Sequence, residues 1–232
     1  MTPAEKSEFD FWRQWLTSEG KVSGFAGCHE EFLRRRDGGP LSEPMIEEKI
    51  SPGTRVRILD VGAGPMSFLG NQHPSAQLEI VATDRLAREY ESLLQELNIH
   101  PPIMSLPITG EGLLTWFLPF SFDFTYARNS LDHAGDRLTI IDNMARLTVK
   151  GGHLILRHHP NEGRNERYHG LHQWNFSLDP RLNPPEDGLT GDCLLSDNQD
   201  KTVNVSAWLR NYGWVAAWVE NDWLIFVMRK IK

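Results

Sequence analysis

The sequence predicts an α/β domain, a mostly parallel sheet with helices on both faces. Three observations carry that expectation. From residue 54 onward, short apolar strand-like runs alternate with amphipathic helical runs. The first of those runs, RILDVGAGP (57–65), ends in an acid and breaks into paired glycines. The last two runs are separated only by Asn221-Asp222, a spacing that fits an antiparallel hairpin.

Residues 8–19, EFDFWRQWLTSE, place Phe9, Trp12 and Leu16 on one helical face. Turn punctuation follows at Gly24, Gly27, Gly38-Gly39-Pro40, Pro44 and Pro52-Gly53, so 1–53 reads as an N-terminal cap of short helices. The domain proper is expected over 54–232. Its strands are expected at Arg55–Val61, Leu78–Asp84, Ile103–Leu106, Phe122–Arg128 and His153–Arg157. Helices are expected just after Pro65, over Leu86–Leu97, and over Arg137–Leu147 with a stop at Lys150-Gly151-Gly152. Residues 158–200 show no sustained apolar period and read as a long loop on the substrate side. A helix near Val205–Asn211 and strands Trp214–Val219 and Trp223–Arg229 complete the chain.

With 40% hydrophobic and 24% charged residues in 232, the chain can bury a substantial core. Its formal charge of -7, from 24 Lys+Arg against 31 Asp+Glu, argues against a nucleic-acid partner, and Arg34-Arg35-Arg36 reads as a solvated helix end. Cys28 and Cys193 have no CxxC or CxxH neighbours, so neither a disulfide framework nor a structural zinc site is signalled. The acidic N-terminus lacks a signal pattern, and the apolar stretches 113–120 and 224–228 fall far short of the ~20 residues of a spanning helix. A soluble, cytoplasmic protein without a membrane partner is expected; the oligomeric state is not legible.

Glycines after a buried strand let the backbone approach a ligand closely. A dinucleotide fingerprint would want a small third residue for helix packing, and Ser67 fills that place imperfectly. Asp60, just before the glycines, suits a cationic amino group and gives nothing to a pyrophosphate. Asp84, 20 residues after Gly64, suits both hydroxyls of a ribose. A ribose, a positively charged amino acid end and no phosphate describe S-adenosylmethionine. Alternatively, the two acids are a turn cap and a helix cap.

Residues 56–160 resemble the class I S-adenosylmethionine-dependent methyltransferases. VRILDVGAGP is similar to their first motif and EIVATD to their second. The stretch FDFTYARNSLDHAGDRLTIIDNMARLTVKGGHLIL resembles their fourth strand, the helix after it and the turn into strand five. The resemblance implies a Rossmann-like, seven-stranded, mostly parallel sheet with an antiparallel last strand. It also implies that Asp60, Gly62, Ala63 and Gly64 cradle the methionine end, that Asp84 and Arg85 border the ribose, and that Arg128 and Asn129 contact the donor near its methionine part. The family's acid near the adenine has no clear counterpart in LPITGEG, where Glu111 is the candidate.

Methylating a hydroxyl requires a base at the mouth of the site. Six of the nine histidines fall between 133 and 172. His133, beside Asp132 in NSLDH, is the first candidate for the base, and His158 or His159 the second, since alternation points those two in opposite directions. NEGRNERYHGLHQWNF (161–176) offers Arg167, Tyr168, His169, His172 and Trp174, a mixture that suits a small polar or glycan acceptor. His169 and His172, with Asp132 or His158, have a spacing too common to signal a metal, and none is assigned. A non-catalytic nucleoside binder of the same fold and a dinucleotide-dependent dehydrogenase are the competing readings.

Overall fold

The computed structural model describes residues 1–21, 28–179 and 191–232; Gly24, Gly27 and residues 180–190 of the predicted turns and loop lie outside them. Two units can be distinguished, Met1–Gly110 and Glu111–Lys232. In the first, helices α1 (Pro3–Thr17), α2 (Cys28–Asp37) and α3 (Pro44–Glu47) precede strand β1 (Arg55–Val61). Strand β2 (Gln77–Thr83), helix α4 (Ala87–Glu96) and strand β3 (Ser105–Leu106) follow. Helix α1 starts five residues earlier than its apolar face predicts. Thr2 and Glu5 form a capping box there, with Pro3 in the first turn. Its buried Trp15 and Leu16 pack with Phe32 of α2, Leu93 and Leu94 of α4, and Met66.

Strands β1 and β2 pair in parallel with Asp60 opposite Ala82, and β2 pairs in parallel with β3. Ile58 and Leu59 are fully buried, as expected for a strand covered on both faces. The helix expected after Pro65 does not form, and residues 64–70 run as turns. The reason lies in residues 39–42, which take up the backbone groups a helix would pair internally. Ser42 N–H donates to Leu69 C=O at 3.1 Å and Gln72 N–H to Gly39 C=O at 2.9 Å, and the Ser42 hydroxyl donates to Phe68 C=O at 2.9 Å.

The second unit holds α5 (Leu113–Trp116), β4 (Phe122–Arg128), α6 (Arg137–Leu147), β5 (Thr148–His158), α7 (Glu162–Asn165), β6 (Asn175–Asp179), β7 (Asp192–Ser196), β8 (Thr202–Asn204), α8 (Val205–Leu209), β9 (Gly213–Glu220) and β10 (Trp223–Lys230). Strands β4 and β5 are parallel. Strand β10 runs antiparallel to β5 and β9 antiparallel to β10. Asn221 and Asp222 both have positive φ (47° and 63°), as a two-residue hairpin turn demands. The strand order is β3-β2-β1-β4-β5-β10-β9, the expected seven-stranded, mostly parallel sheet.

Two expectations change here. Lys150-Gly151-Gly152 is not a helix stop but a register shift inside β5, which pairs Thr148 with Phe122 and then His153 with Phe124. A Cβ on Gly152 would lie 2.5 Å from the Asp123 carbonyl oxygen, so the strand can pass only as glycine. The other change concerns 158–200, expected as a loop, where β6 and β7 form and join β8, just beyond, in a three-stranded antiparallel sheet. Its buried positions include Asn175, Asp179, Asp192 and Ser196, which hide the apolar period. Asp192 is buried because Arg210 pairs with it and the Asn204 amide donates to it at 2.8 Å.

Candidate functional site

At the turn after β1, Gly62 and Gly64 have φ of 71° and 67°, which only glycine adopts without strain. Gly62 and Ala63 N–H donate to the Thr83 carbonyl at 2.8 and 3.1 Å, tying the turn to the end of β2. The buried Asp60 carboxylate accepts from the Ser67 hydroxyl at 2.7 Å. Asp84 accepts from Gly64 N–H at 3.0 Å through one oxygen and from Leu86 N–H at 2.8 Å through the other. Asp84 is nevertheless not the helix cap of the alternative reading: α4 is capped by Leu86 without a side-chain hydrogen bond, and the Asp84 carboxylate ties the glycine turn to the chain entering α4. Arg85 pairs with Glu5 of α1 at 2.5 Å.

Two residues at this turn escaped sequence reasoning. Arg35 is not a solvated helix end: its buried guanidinium donates to the carbonyls of Ala63 at 3.2 Å and Met66 at 2.6 Å, with Glu31 as counter-ion. Arg34 instead lies over the Phe68 ring and Arg36 pairs with Asp37. Trp12 of α1 lies against the turn itself; a Cβ on Gly64 would come within 2.7 Å of its ring. The only signal was the aromatic face of α1, which periodicity assigns to a core without saying which core.

In the second unit, Asn129 follows β4 with φ of 45°, a left-handed position that asparagine tolerates. Its side-chain oxygen accepts from His159 N–H at 3.2 Å. Arg128 and Arg157, neighbours across β4 and β5, both approach the ring of Trp223. His159 lies tilted against that same ring, with centroids 3.8 Å apart. Glu111 accepts from Asp136 N–H at 3.1 Å and thereby holds the loop leading into α6.

After Asn129 the chain makes a single 3-10 turn, Leu131–His133, which buries Asp132. His172 reaches the same point because the loop carrying it is anchored on both sides. Gln173 N–H donates to Asp132 C=O at 3.1 Å, and Gly163 N–H donates to Trp174 C=O at 3.1 Å. The Gln173 amide closes the loop on itself through the Tyr168 and Gly170 carbonyls, and Asn175 donates to the Tyr168 hydroxyl at 3.0 Å. The result is a small triangle. His172 Nδ1 lies 2.8 Å and His133 Nε2 3.2 Å from Asp132 Oδ2, and the two nitrogens are 3.0 Å apart.

Asp132 and His158 are each about 1% exposed, and His158 Nδ1 lies 4.0 Å from Asp132 Oδ1. Burial by itself would raise the Asp132 pKa, but His133 and His172 outweigh it and hold the carboxyl well below its usual range. Burial pushes His158 down to about 4, so it is neutral at pH 7. Neither His158 ring nitrogen nor Asp132 Oδ1 has a hydrogen-bond partner among the described residues. His158 is held by stacking on Phe176 at 4.1 Å.

Adjacent Asp132 and His133 thus do meet, and His172 joins them. His169 is exposed and is not part of the cluster, and neither is exposed Arg167. Tyr168 serves the loop, and the Arg137 guanidinium lies over Trp174.

No family model matches the sequence, and a search of curated proteins finds no match. Solved structures do match in fold. One is a chain of the complex between the Haloferax volcanii Trm112 methyltransferase activator and a protein assigned as a methyltransferase. Identity is 11%, coverage 97% of this chain and 98% of that one, and the TM-score 0.54. A protein assigned as an S-adenosyl-L-methionine-dependent methyltransferase from Methanococcus maripaludis matches at 13% identity, covering 100% and 96%, with a TM-score of 0.53. The CurJ carbon methyltransferase matches at 21% identity over 80% of this chain, with a TM-score of 0.51; the chain spans about half of that structure's length.

Proposed function

Given a chain with the class I S-adenosylmethionine-dependent methyltransferase fold, we propose that it is an enzyme transferring the methyl group of S-adenosylmethionine to a hydroxyl of a small polar or glycan-like acceptor. Asp60, Gly62, Ala63 and Gly64 receive the methionine end, and Asp84, at the end of the neighbouring strand, receives the ribose. Arg128 and Asn129 border the donor in this reading, while the ion pair with Glu5 and the contacts to the α6 loop leave Arg85 and Glu111 as supports. One observation carries the choice of a hydroxyl: a fully buried carboxylate fixes two imidazoles just after β4, on the side where open α/β sheets bind ligands. A sulfonium donor needs no help to leave, so the protein's task is alignment and removal of the acceptor's proton.

His172 fits that task better than His133. Its Nδ1 faces the carboxylate and its Nε2 points away, the orientation in which a carboxylate holds an imidazole ready as a base. Asp132 orients it, while His133, His159, Trp174 and the Tyr168 loop shape the acceptor side. His158 lacks the exposure to reach an acceptor and acts from behind Asp132. The fold alone leaves the accepting atom open, as the carbon methyltransferase among the matches illustrates. Incubating the protein with isotopically labelled S-adenosylmethionine and a fractionated extract tests the reading by mass spectrometry. The expected result is one labelled methyl on an oxygen of a small hydroxylated product. Label on carbon or nitrogen would overturn the hydroxyl assignment.

A further inference from the structure

We infer that Asp132 Oδ2, His133 Nε2 and His172 Nδ1 form a binding site for one divalent transition ion of the zinc type. The ion would act on the acceptor hydroxyl of the proposed reaction, and in that respect only the inference rests on the reading above. The three atoms are 2.8, 3.0 and 3.2 Å apart. Metal bonds of ~2.0–2.1 Å to imidazole nitrogen and carboxylate oxygen, at angles of about 90–105°, separate neighbouring ligand atoms by about 2.8–3.3 Å. The triangle is therefore one face of a coordination polyhedron, with its remaining positions open to solvent or substrate. Two imidazoles and one carboxylate suit zinc, iron, cobalt or nickel; magnesium would want more oxygens.

Protons satisfy at most two of the triangle's three edges. A carboxylate only accepts, so the 3.0 Å contact between nitrogens is a hydrogen bond only if one ring turns a lone pair inward. That lone pair then faces the carboxylate without a proton between them. If both rings turn N–H inward, both donate to the carboxylate and the two N–H groups are left side by side along the third edge, 3.0 Å between nitrogens. One dication at the centre satisfies all three edges.

A second, independent observation points the same way. Asp132 Oδ1 and both His158 nitrogens are buried without hydrogen-bond partners among the described residues, directly behind the triangle. Such groups are costly to bury and are retained where a ligand or a reaction uses them.

An ion there exchanges one device for another. With His172 Nδ1 on the metal, its Nε2 carries the proton and ceases to be a base. The acceptor hydroxyl, bound at an open position, loses its proton to solvent because the ion's charge lowers its pKa. Its oxygen lone pair then forms the O–C bond as the sulfonium C–S bond breaks, and that electron pair returns to sulfur. The products are a methyl ether and S-adenosylhomocysteine.

The test begins with full-length protein stripped by a chelator and dialysed. It is titrated with Zn²⁺ and Mg²⁺ by calorimetry and with Co²⁺ by visible absorption, with no substrate present. One Zn²⁺ per chain, an intense Co²⁺ spectrum and no Mg²⁺ binding are expected. Asp132→Asn and His172→Ala should weaken Zn²⁺ binding on the order of 100-fold or more, while His100→Ala, at an exposed histidine far along the chain, should not. His172 is partly exposed, so its variant keeps the test sound if Asp132→Asn fails to fold. No stoichiometric Zn²⁺ on the wild type, or equal binding by the variants, overturns the site. Undiminished methyl transfer by the stripped protein overturns the ion's role. Zn²⁺ bound by the triangle with no transfer to any acceptor would defeat the transferase reading and leave the metal site standing.

Discussion

At the turn after β1, Asp60, Asp84 and Arg35 each satisfy a specific partner: the Ser67 hydroxyl, two backbone N–H groups, and two backbone carbonyls. Around Asp132 the opposite holds. Two imidazoles crowd one carboxylate oxygen, while the other oxygen and both His158 nitrogens have no hydrogen-bond partner among the described residues. A region whose polar groups are internally matched is a rigid seat for a ligand it need not transform. A region that keeps polar groups unmatched is poised to move a proton or hold an ion, at the expense of stability.

The largest expected effect breaks the second region without touching the first. Asp132→Asn removes the carboxylate that orients the base or holds the ion and should lower methyl transfer by about 10²–10⁴-fold, the range of proton removal by a positioned group. S-adenosylhomocysteine affinity, read by calorimetry, should stay within about twofold. A parallel fall in donor affinity would mean that the two regions are not functionally separate.

Next, Arg35→Met attacks the first region. It removes the guanidinium from the Ala63 and Met66 carbonyls and should cost about 3 kcal/mol in urea unfolding. A loss below about 1 kcal/mol would show that water replaces the guanidinium and that the turn does not depend on it.

The third effect is a dependence on pH. His158 has a folded pKa near 4, below its unfolded value, so between pH 6.5 and 4 the unfolded chain binds the extra proton and stability falls as pH falls. About 2 kcal/mol should be lost between pH 7 and pH 5. Asp132, with its lowered pKa, adds a loss only below about pH 4, where the unfolded carboxyl takes up a proton first. Unfolding curves for His158→Phe should be flatter across pH 5–7; an unchanged slope would assign the acid sensitivity to other groups.

The smallest effect sharpens the description of the glycine turn. Gly64→Ala should cost about 1–2 kcal/mol, partly from the positive φ and partly from the clash with Trp12. Combining it with Trp12→Ala should recover about 1 kcal/mol, the steric share. Strict additivity in that double-mutant cycle would remove the contact from the account.

Sequence legibility divides along the same line. Strands β1 and β4 and helix α6 have the predicted bounds because buried parallel strands and a capped amphipathic helix write strong local periods. The missing helix after Pro65 was not legible, because its backbone partners at Gly39–Ser42 are remote in sequence. Strands β6 and β7 were hidden by buried polar residues whose partners, such as Arg210 for Asp192, are also remote. In the candidate site, the placement of Asp60, the glycines and Asp84 at the ends of adjacent strands could be read from spacing. That His172 would join Asp132 and His133 while His169 would not depends on Gln173 N–H meeting the Asp132 carbonyl, which no periodicity encodes.

The most direct test of the central claim is calorimetric titration of the wild-type protein with S-adenosylhomocysteine and with NAD under identical conditions. Saturable binding of one S-adenosylhomocysteine per chain, weakened by Asp84→Ala, with no heat from NAD, is the predicted result. Binding of NAD, or indifference to both compounds, would contradict it.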